Sequence, residues 1–324
     1  MHRRELLKTT ASALAGTVTL TGATATAASG QFSDAYLNGY HYRKYVPTEK
    51  ATSPALVVML HGCSQEPGEF ARATRMNEVA EREGFVAIYP DQSSFANSFD
   101  CWNWFYDYNT ERGSGEGAII TDMATHEVSD ESLDPDSVYV AGFSAGAAMV
   151  PNLLAAYPDV YAAGGVHSGL EYDAADNSSE ATYAMTWGGP DPYLKGEQAY
   201  DAMQYNGVVG RVPTVVFHGT DDTTVYPVNG DQVTVQAIET NDLASDGLDD
   251  GNVDTAAESD VYGSTGGYDW RRRRFGDDSG TTLVEYWEVE GMDHAWAGGA
   301  PGEAYTAPSA PDASDALWSF FSRW

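Results

Sequence analysis

Short runs made only of apolar residues recur along the chain, with stretches of helical spacing between them. A strand that is apolar at every position is buried on both faces, which is typical of the middle of a parallel sheet. Parallel strands need long crossover connections, usually helices, and these helices pack against the sheet. The alternation therefore predicts an α/β fold with a mostly parallel central sheet and helices on both faces.

The predicted elements begin after residue 28. Strands are predicted at residues 39–46, 56–60, 85–89, 138–141, 214–217 and 283–287. Helices are predicted at residues 69–83, 117–132, 145–156 and 312–323. An acidic, Gly-rich tract at 241–267 has little apolar content and is predicted to be a surface excursion rather than a linker. We therefore expect one domain at residues 29–324.

Residues 1–28 have the layout of an export signal. Two adjacent arginines, Arg3 and Arg4, precede a leucine pair, and a weakly hydrophobic Ala/Thr/Gly stretch then runs to an A-x-A sequence at 25–27. This order is typical of a twin-arginine signal. The alternative, a transmembrane anchor, fits poorly because the stretch is rich in threonine and poor in leucine and isoleucine. We expect export by the twin-arginine machinery, a secreted extracellular product and no stable membrane anchor.

The charge balance is extreme, because 48 acidic residues stand against 17 basic ones and give a net charge of −31. Such a chain repels itself in dilute buffer, whereas a screening length of roughly 3 Å in 1 M salt removes most of the repulsion. Lysine is also scarce, with four in the whole chain. We interpret this composition as adaptation to high salt, the alternative being an ordinary acidic secreted protein. The charge argues against nucleic acid or anionic lipid as a partner.

The sharpest motif is G-F-S-A-G at residues 142–146, which stands between a predicted strand and a predicted helix. In this strand–turn–helix setting, G-x-S-x-G presents a serine nucleophile at the carboxyl end of an α/β-hydrolase sheet. The two glycines are needed because side chains there would collide with the neighbouring strand and helix. The helix that follows directs free N–H groups at developing negative charge. Ser144 is therefore the predicted nucleophile, and an ordinary Gly-rich turn is the alternative.

Another motif, L-H-G-C-S-Q, follows the first buried strand. In α/β-hydrolases the loop at this place supplies one N–H of the oxyanion hole, and the residue after the nucleophile supplies the other. The backbone N–H groups of Cys63 and Ala145 are the candidates for these two donors. His61 is predicted to brace the loop rather than to carry a proton.

Two later loops supply the remaining groups of a catalytic triad. In H-G-T-D-D-T-T-V, after the strand at 214–217, the spacing favours Asp222 over Asp221 as the acid. In G-M-D-H-A-W-A-G-G, after the last strand, His294 is the predicted base. The order Ser, Asp, His is that of α/β-hydrolases, and the other histidines lack this position.

These blocks, together with C-W-N-W-F, resemble the extracellular poly(3-hydroxybutyrate) depolymerase family of esterases, which has feruloyl and acetylxylan esterases among its relatives. The resemblance extends over most of residues 35–322 with the motifs in family order. It implies an α/β-hydrolase catalytic domain that hydrolyses esters through Ser144, His294 and Asp222. A non-enzymatic binding protein on the same scaffold is the remaining alternative.

The chain has two cysteines, Cys63 and Cys101. In an exported protein the expected state is one disulfide, and two separate buried thiols are the alternative. The resemblance also implies this disulfide, which would hold the Cys63 N–H in place. The aspartates do not show the spacing of a metal-binding loop, so we expect no metal and no cofactor.

The expected substrate is a polymeric or oligomeric ester. Trp102, Trp104 and Trp296 are predicted to form an aromatic wall that binds substrate, with packing in the core as the alternative. Such a wall suits poly(3-hydroxybutyrate) or related short-chain hydroxyalkanoates, and it also suits a feruloyl ring. Feruloyl or acetylxylan esters of the plant wall therefore stay open as substrates. The basic run at 271–274 is predicted to pair with carboxylates on an exposed strand.

Overall fold

The computed structural model of the protein describes residues 29–324. The predicted export signal at residues 1–28 lies outside the described residues. The strands are β1 (Gln31–Leu37), β2 (Tyr40–Val46), β3 (Leu56–Leu60), β4 (Val86–Pro90), β5 (Val138–Phe143), β6 (Ala163–His167), β7 (Thr214–Gly219), β8 (Ser259–Thr265), β9 (Tyr268–Gly276), β10 (Thr282–Val289), β11 (Trp296–Ala297) and β12 (Thr306–Ala307). The helices are α1 (Pro67–Thr74), α2 (Met76–Glu83), α3 (Asp107–Thr110), α4 (Gly115–Asp130), α5 (Ala145–Ala156), α6 (Ser178–Trp187), α7 (Pro192–Asn206), α8 (Val228–Asp246) and α9 (Ala313–Phe321).

Ten strands form one sheet in the order β1-β2-β4-β3-β5-β6-β7-β10-β9-β8. The central strands from β4 to β10 are parallel to one another. The hairpins β1–β2 and β8–β9 extend the sheet antiparallel on its two sides. The prediction of a mostly parallel sheet is confirmed. All parallel strands end at one edge, where the loops that follow β3, β5, β7 and β10 lie side by side.

A hydrophobic core covers each face of the sheet. Along β3, Leu56 and Val58 face one core, while Val57 and Met59 face the other. The first core is closed mainly by α4, α5 and α8, and the second by α1, α2 and α9. Helices on both faces are therefore confirmed, and they explain why the central strands are apolar at every position. Within residues 29–324, no helix is both long enough and apolar enough to span a bilayer.

The helix predicted at 69–83 is two helices. Arg75 adopts a left-handed conformation with φ of 59°, ends α1 and begins α2. Its backbone N–H donates to the carbonyl of Arg72, which closes the first helix. The apolar spacing continues across the break because both helices pack on the same core, so periodicity alone did not reveal it.

Most of the tract at 241–267 is exposed, as predicted, but its two ends have regular structure. Its first residues are the last turns of α8, and its last residues form the edge strand β8. Between them the buried Asp242 carboxylate accepts hydrogen bonds from the backbone N–H groups of Gly251 and Val253, at 3.1 and 2.7 Å. Polar contacts thus anchor a tract that has little apolar content.

Candidate active site

Ser144 lies on the turn between β5 and α5, with φ of 55° and ψ of −119°. A Cβ atom added to Gly142 would overlap the backbone of Gly146, and one added to Gly146 would overlap the backbone of Leu60 and His61. Glycine is therefore required on both sides of the serine, as the motif predicted. The turn places Ser144 directly before the first residue of a buried helix.

The loop after β3 passes next to the serine. A Cβ on Gly62 would lie 3.2 Å from the Cβ of Ser144. The loop is held by the buried His61, whose Nδ1 lies 2.8 Å from the Gly62 carbonyl and whose Nε2 accepts the N–H of Gln92 at 3.2 Å. Burial lowers the pKa of His61 and keeps the imidazole neutral. These contacts agree with the bracing role predicted for His61.

The candidate oxyanion donors are the amides of Cys63 and Ala145. Within residues 29–324, neither amide donates a hydrogen bond to another protein group. Cys63 forms a disulfide with Cys101, which confirms the predicted bond. The disulfide joins the loop after β3 to the segment that follows β4. Acyl transfer needs free N–H donors of this kind, and their role at the site stays a prediction.

Asp222 is buried in the loop after β7, whereas Asp221 is exposed. Its Oδ1 accepts the backbone N–H groups of Thr224 and Val225, both at 2.9 Å. Its Oδ2 lies 2.7 Å from Nδ1 of His294. Burial alone would raise the pKa of Asp222, but the hydrogen bond and charge of His294 outweigh it and hold the pKa below its ordinary value. Asp222 is thus the carboxylate that contacts the histidine.

His294 follows β10, and its loop is packed closely on the loop of the acid. The carbonyl of Met292 accepts the N–H of Asp221 at 3.1 Å and touches the space that a Cβ on Gly219 would fill. The imidazole ring lies 4.7 Å from the ring of Phe143, the residue before the serine. Because Asp222 binds Nδ1, the Nε2 atom is left for the nucleophile.

The structure thus brings Asp222 and His294 into hydrogen-bond contact and places their loops next to the turn of Ser144. Among the hydrogen bonds of residues 29–324, none joins the Ser144 hydroxyl to His294. In free enzymes this bond is often long and shortens when substrate binds. The arrangement can perform acyl transfer once the hydroxyl and Nε2 meet.

The model of the family described as "Esterase PHB depolymerase" matches residues 40–258. The chain belongs to this family. Poly(3-hydroxyalkanoate) depolymerase C of Paucimonas lemoignei is 32% identical over 253 residues, which cover 78% of this chain and 57% of that protein. Feruloyl esterase B of Thermothelomyces thermophilus is 31% identical over 197 residues, covering 56% of this chain and 64% of that protein. The chain thus spans between about half and two thirds of the length of these relatives.

Another family relative, acetylxylan esterase A of Talaromyces purpureogenus, is 32% identical over 201 residues, covering 57% of this chain and 49% of that protein. The solved structure of an acetyl xylan esterase from Aspergillus awamori is similar with a TM-score of 0.72, at 22% identity, over 90% of this chain and 99% of that one. Esterase PE8 gives a TM-score of 0.50 at 14% identity, over 86% and 96% of the two chains. These neighbours establish the α/β-hydrolase fold, and the relatives named above are a depolymerase and esterases.

The prediction that Trp102, Trp104 and Trp296 form an aromatic wall for substrate is wrong. All three side chains are buried, with 3%, 4% and 1% of their surface exposed. Trp102 and Trp104 belong to one core, and Trp296 packs in the other against Phe70. Indole rings bury a large apolar area, and here the helices and the disulfide-linked segment supply enough partners to cover them. These tryptophans pack in the two cores and do not form a substrate surface.

The run at 271–274 forms part of β9. Arg271 pairs with Asp260, Arg273 with Glu288 and Arg274 with Glu285. Three of the four arginines are thus paired with carboxylates as predicted, on a strand that is half-buried rather than exposed.

Two groups of three carboxylates come close together within residues 29–324, and neither includes Asp222 or His294. The first group contains Asp173, which is already paired with Lys195 at 2.7 Å. The second contains Glu127, which is paired with Lys44 at 2.9 Å. We assign no ion to either group.

Proposed function

We propose that the protein is a secreted serine esterase that hydrolyses poly(3-hydroxybutyrate) or related short-chain hydroxyalkanoate esters. The single observation that carries the proposal is the 2.7 Å contact between His294 Nδ1 and Asp222 Oδ2, beside the sharp turn of Ser144. Membership of the depolymerase family and the long alignment with a poly(3-hydroxyalkanoate) depolymerase favour the polyester as substrate.

The proposed reaction is acyl transfer in two steps. The hydroxyl oxygen of Ser144 attacks the ester carbonyl while Nε2 of His294 takes the hydroxyl proton. Asp222 fixes the imidazole tautomer and stabilises its positive charge, and the amides of Cys63 and Ala145 bind the oxyanion. The imidazolium then gives its proton to the departing alkoxide, which leaves as the alcohol. A water molecule, activated by the same imidazole, releases the acid and restores Ser144.

The decisive comparison is between substrates. The purified protein in molar NaCl is assayed for release of soluble acid from poly(3-hydroxybutyrate) granules, from feruloyl esters and from acetylated xylan. We expect the granules to be the preferred substrate and Ser144→Ala to abolish the release while the far-ultraviolet circular dichroism is unchanged. Faster release from feruloyl esters or from acetylated xylan would contradict the polyester as substrate and support the second candidate below. An unchanged rate in the folded Ser144→Ala variant would refute the nucleophile itself.

The second candidate is an esterase of polysaccharide-bound acyl groups, and a cavity of about 770 Å³ favours it. The cavity lies beside β8 and β9, where Trp270 pairs with Val289 at the carboxyl end of β10. The rings of Trp270 and Tyr262 line it together with the carboxylates of Asp269 and Glu290. Flat aromatic faces beside hydrogen-bond acceptors suit a sugar chain, whose hydroxyls donate. The substrate comparison separates the two candidates.

Export by the twin-arginine route is also a proposal. It is supported by the arginine pair Arg3–Arg4 ahead of a weakly hydrophobic stretch and by the disulfide, which persists in oxidising compartments. Replacing both arginines by lysine in the chain that carries residues 1–28 is expected to retain the protein inside the cell. Unchanged amounts in the medium would contradict the proposed route.

A further inference from the structure

His167, the last residue of β6, contacts the nucleophile turn and the histidine loop at the same time. Its backbone carbonyl accepts the N–H of Ser144 at 3.0 Å. Its imidazole Nε2 accepts the N–H of Ala297 at 3.0 Å. Ala297 lies three residues after His294 on the same loop. One residue therefore ties the serine and the loop of the proposed base to the same point of the sheet.

The ring of His167 has little freedom to move. It is buried, with 1% of its surface exposed, and it stacks between Trp296 and Phe217 with ring centres at 4.8 and 5.5 Å. Its Nδ1 lies 3.2 Å from the hydroxyl of Ser168. Because Nε2 accepts a hydrogen bond, the neutral ring carries its proton on Nδ1. Burial holds the pKa of His167 well below its usual range, so the acceptor persists at neutral pH.

We infer that His167 is a positioning residue, whose imidazole Nε2 fixes the loop of His294 relative to Ser144. The inference rests on the proposed function, in which His294 is the base. Proton transfer needs the base within hydrogen-bond reach of the hydroxyl, and a shift of about 1 Å in a catalytic group can cost 100-fold in rate. The loop of His294 is also held by Asp222, by the backbone of Met292 and by the pairing of β11 with β12. His167 adds the direct link to the strand next to the nucleophile.

Three substitutions of His167 test the role of the Nε2 acceptor separately from that of the aromatic ring. His167→Phe keeps a flat ring for stacking but removes the acceptor. His167→Gln places an amide oxygen close to the position of Nε2, whereas the shorter His167→Asn does not reach Ala297. The readouts are kcat and KM for p-nitrophenyl butyrate in molar NaCl, with the melting temperature of each variant. We expect His167→Phe and His167→Asn to lower kcat about 10-fold, the effect of one neutral hydrogen bond, with KM within about 2-fold.

We expect His167→Gln to recover kcat to within about 3-fold of the wild type. The matched control is Tyr161→Phe, which removes a buried hydrogen bond to Thr121 and lies two residues before the start of β6. This control is expected to lower the melting temperature and to leave kcat unchanged. If His167→Phe does not fold, the Gln and Asn variants still give the comparison.

Equal kcat in the Gln and Asn variants, or an unchanged kcat in folded His167→Phe, would overturn the positioning role. A wild-type protein that does not hydrolyse p-nitrophenyl butyrate would instead refute the proposed function. The two failures are therefore distinguishable.

Discussion

At the scale of single residues, hydrogen bonds fix the carboxylate of Asp222 in the orientation that contacts His294. Two backbone N–H groups bind one oxygen, and His294 binds the other. Because the pKa of Asp222 lies below its ordinary value, the carboxylate stays ionised down to acidic pH. Its contribution to stability is therefore present above its unfolded pKa of about 4 and is lost as the pH falls through the lower folded pKa.

The substitution Asp222→Asn tests the role of this carboxylate in orienting His294. The amide cannot hold the imidazole with its proton on Nδ1, so Nε2 no longer accepts the serine proton. We expect kcat for p-nitrophenyl butyrate at pH 7 to fall by about 10³-fold or more, as in other serine hydrolases with this triad. The matched control is Asp221→Asn, the exposed neighbour, which is expected to change kcat by less than about 2-fold. Equal effects of the two substitutions would contradict the assignment of Asp222.

Glu171 is a different buried carboxyl, and it predicts a pH dependence of stability. Both of its oxygens are buried, and within residues 29–324 neither has a hydrogen-bond partner. Burial raises its pKa to about 8, although the charge of Lys195 opposes the shift. The folded state therefore keeps a proton that the unfolded state loses above about pH 4.5. The free energy of unfolding consequently falls as the pH rises from about 4.5 to about 8.

Glu171→Gln removes this pH-dependent loss of stability, because glutamine does not titrate. The difference in free energy of unfolding, variant minus wild type, is expected to increase by roughly 1–3 kcal/mol from about pH 5 to about pH 8, because only the wild type loses stability over this range. Urea unfolding in constant molar salt at the two pH values measures the change. A difference between variant and wild type that does not depend on pH would show that Glu171 is ionised in the folded protein.

At the scale of elements, the sequence predicted the positions of strands and helices that are buried on all sides. The wholly apolar β3 and the helix α5 lie where periodicity predicted them. The strand β6 was missed because it contains Gly164 and Gly165, which resemble a turn. A Cβ on Gly164 would press on Leu154, and one on Gly165 would overlap Leu317, so packing of helices on both faces selects glycine. No rule of local propensity contains that information.

The same limit applies to the site. The motifs at strand ends located the loops of Ser144, Asp222 and His294, because parallel strands end at one edge. The exposure of Trp102, Trp104 and Trp296 depends on which distant helices cover them, and the sequence pattern does not specify this. A structural bond for His167 is the role that its place near a strand end predicts, but its partner Ala297 lies 130 positions away and no local pattern identifies it.

The disulfide belongs to the element scale because it joins two loops across 38 residues. The double variant Cys63→Ser, Cys101→Ser releases the amide of Cys63 from its fixed place. We expect kcat to fall about 10-fold, since complete loss of one oxyanion donor costs 100-fold or more, and stability to fall by up to roughly 4 kcal/mol. Kinetics and urea unfolding of the variant test both numbers. A full kcat in the folded variant would show that the loop keeps its position without the bond.

At the scale of the whole molecule, the acidic surface has few free counter-charges. Each lysine within residues 29–324 is held by carboxylates: Lys44 by Glu127, Lys50 by Glu131 and Lys195 by Asp173. The lysine charges are thus neutralised in local ion pairs, and the remaining carboxylates repel one another. Salt is the remaining source of screening. This distribution supports the proposal that the protein works in concentrated salt.

Salt dependence of stability tests that proposal. The melting temperature is expected to rise by about 5 °C or more between 0.1 M and about 3 M NaCl, because screening removes the repulsion between carboxylates. Sucrose at matched water activity is the control, since it strengthens burial without screening charge. Equal melting temperatures at the two salt concentrations, or an equal rise in sucrose, would contradict the role of charge.

The central claim is that Ser144, His294 and Asp222 act together beside the amides of Cys63 and Ala145. The most direct measurement is a crystal structure of the protein after reaction with a fluorophosphonate. We predict phosphorus bonded to Ser144 Oγ, a phosphonyl oxygen about 2.7–3.1 Å from both amide nitrogens, and Nε2 of His294 within hydrogen-bond reach of the adduct. An adduct on another residue, or an imidazole that remains out of reach of Ser144 Oγ, would contradict the account.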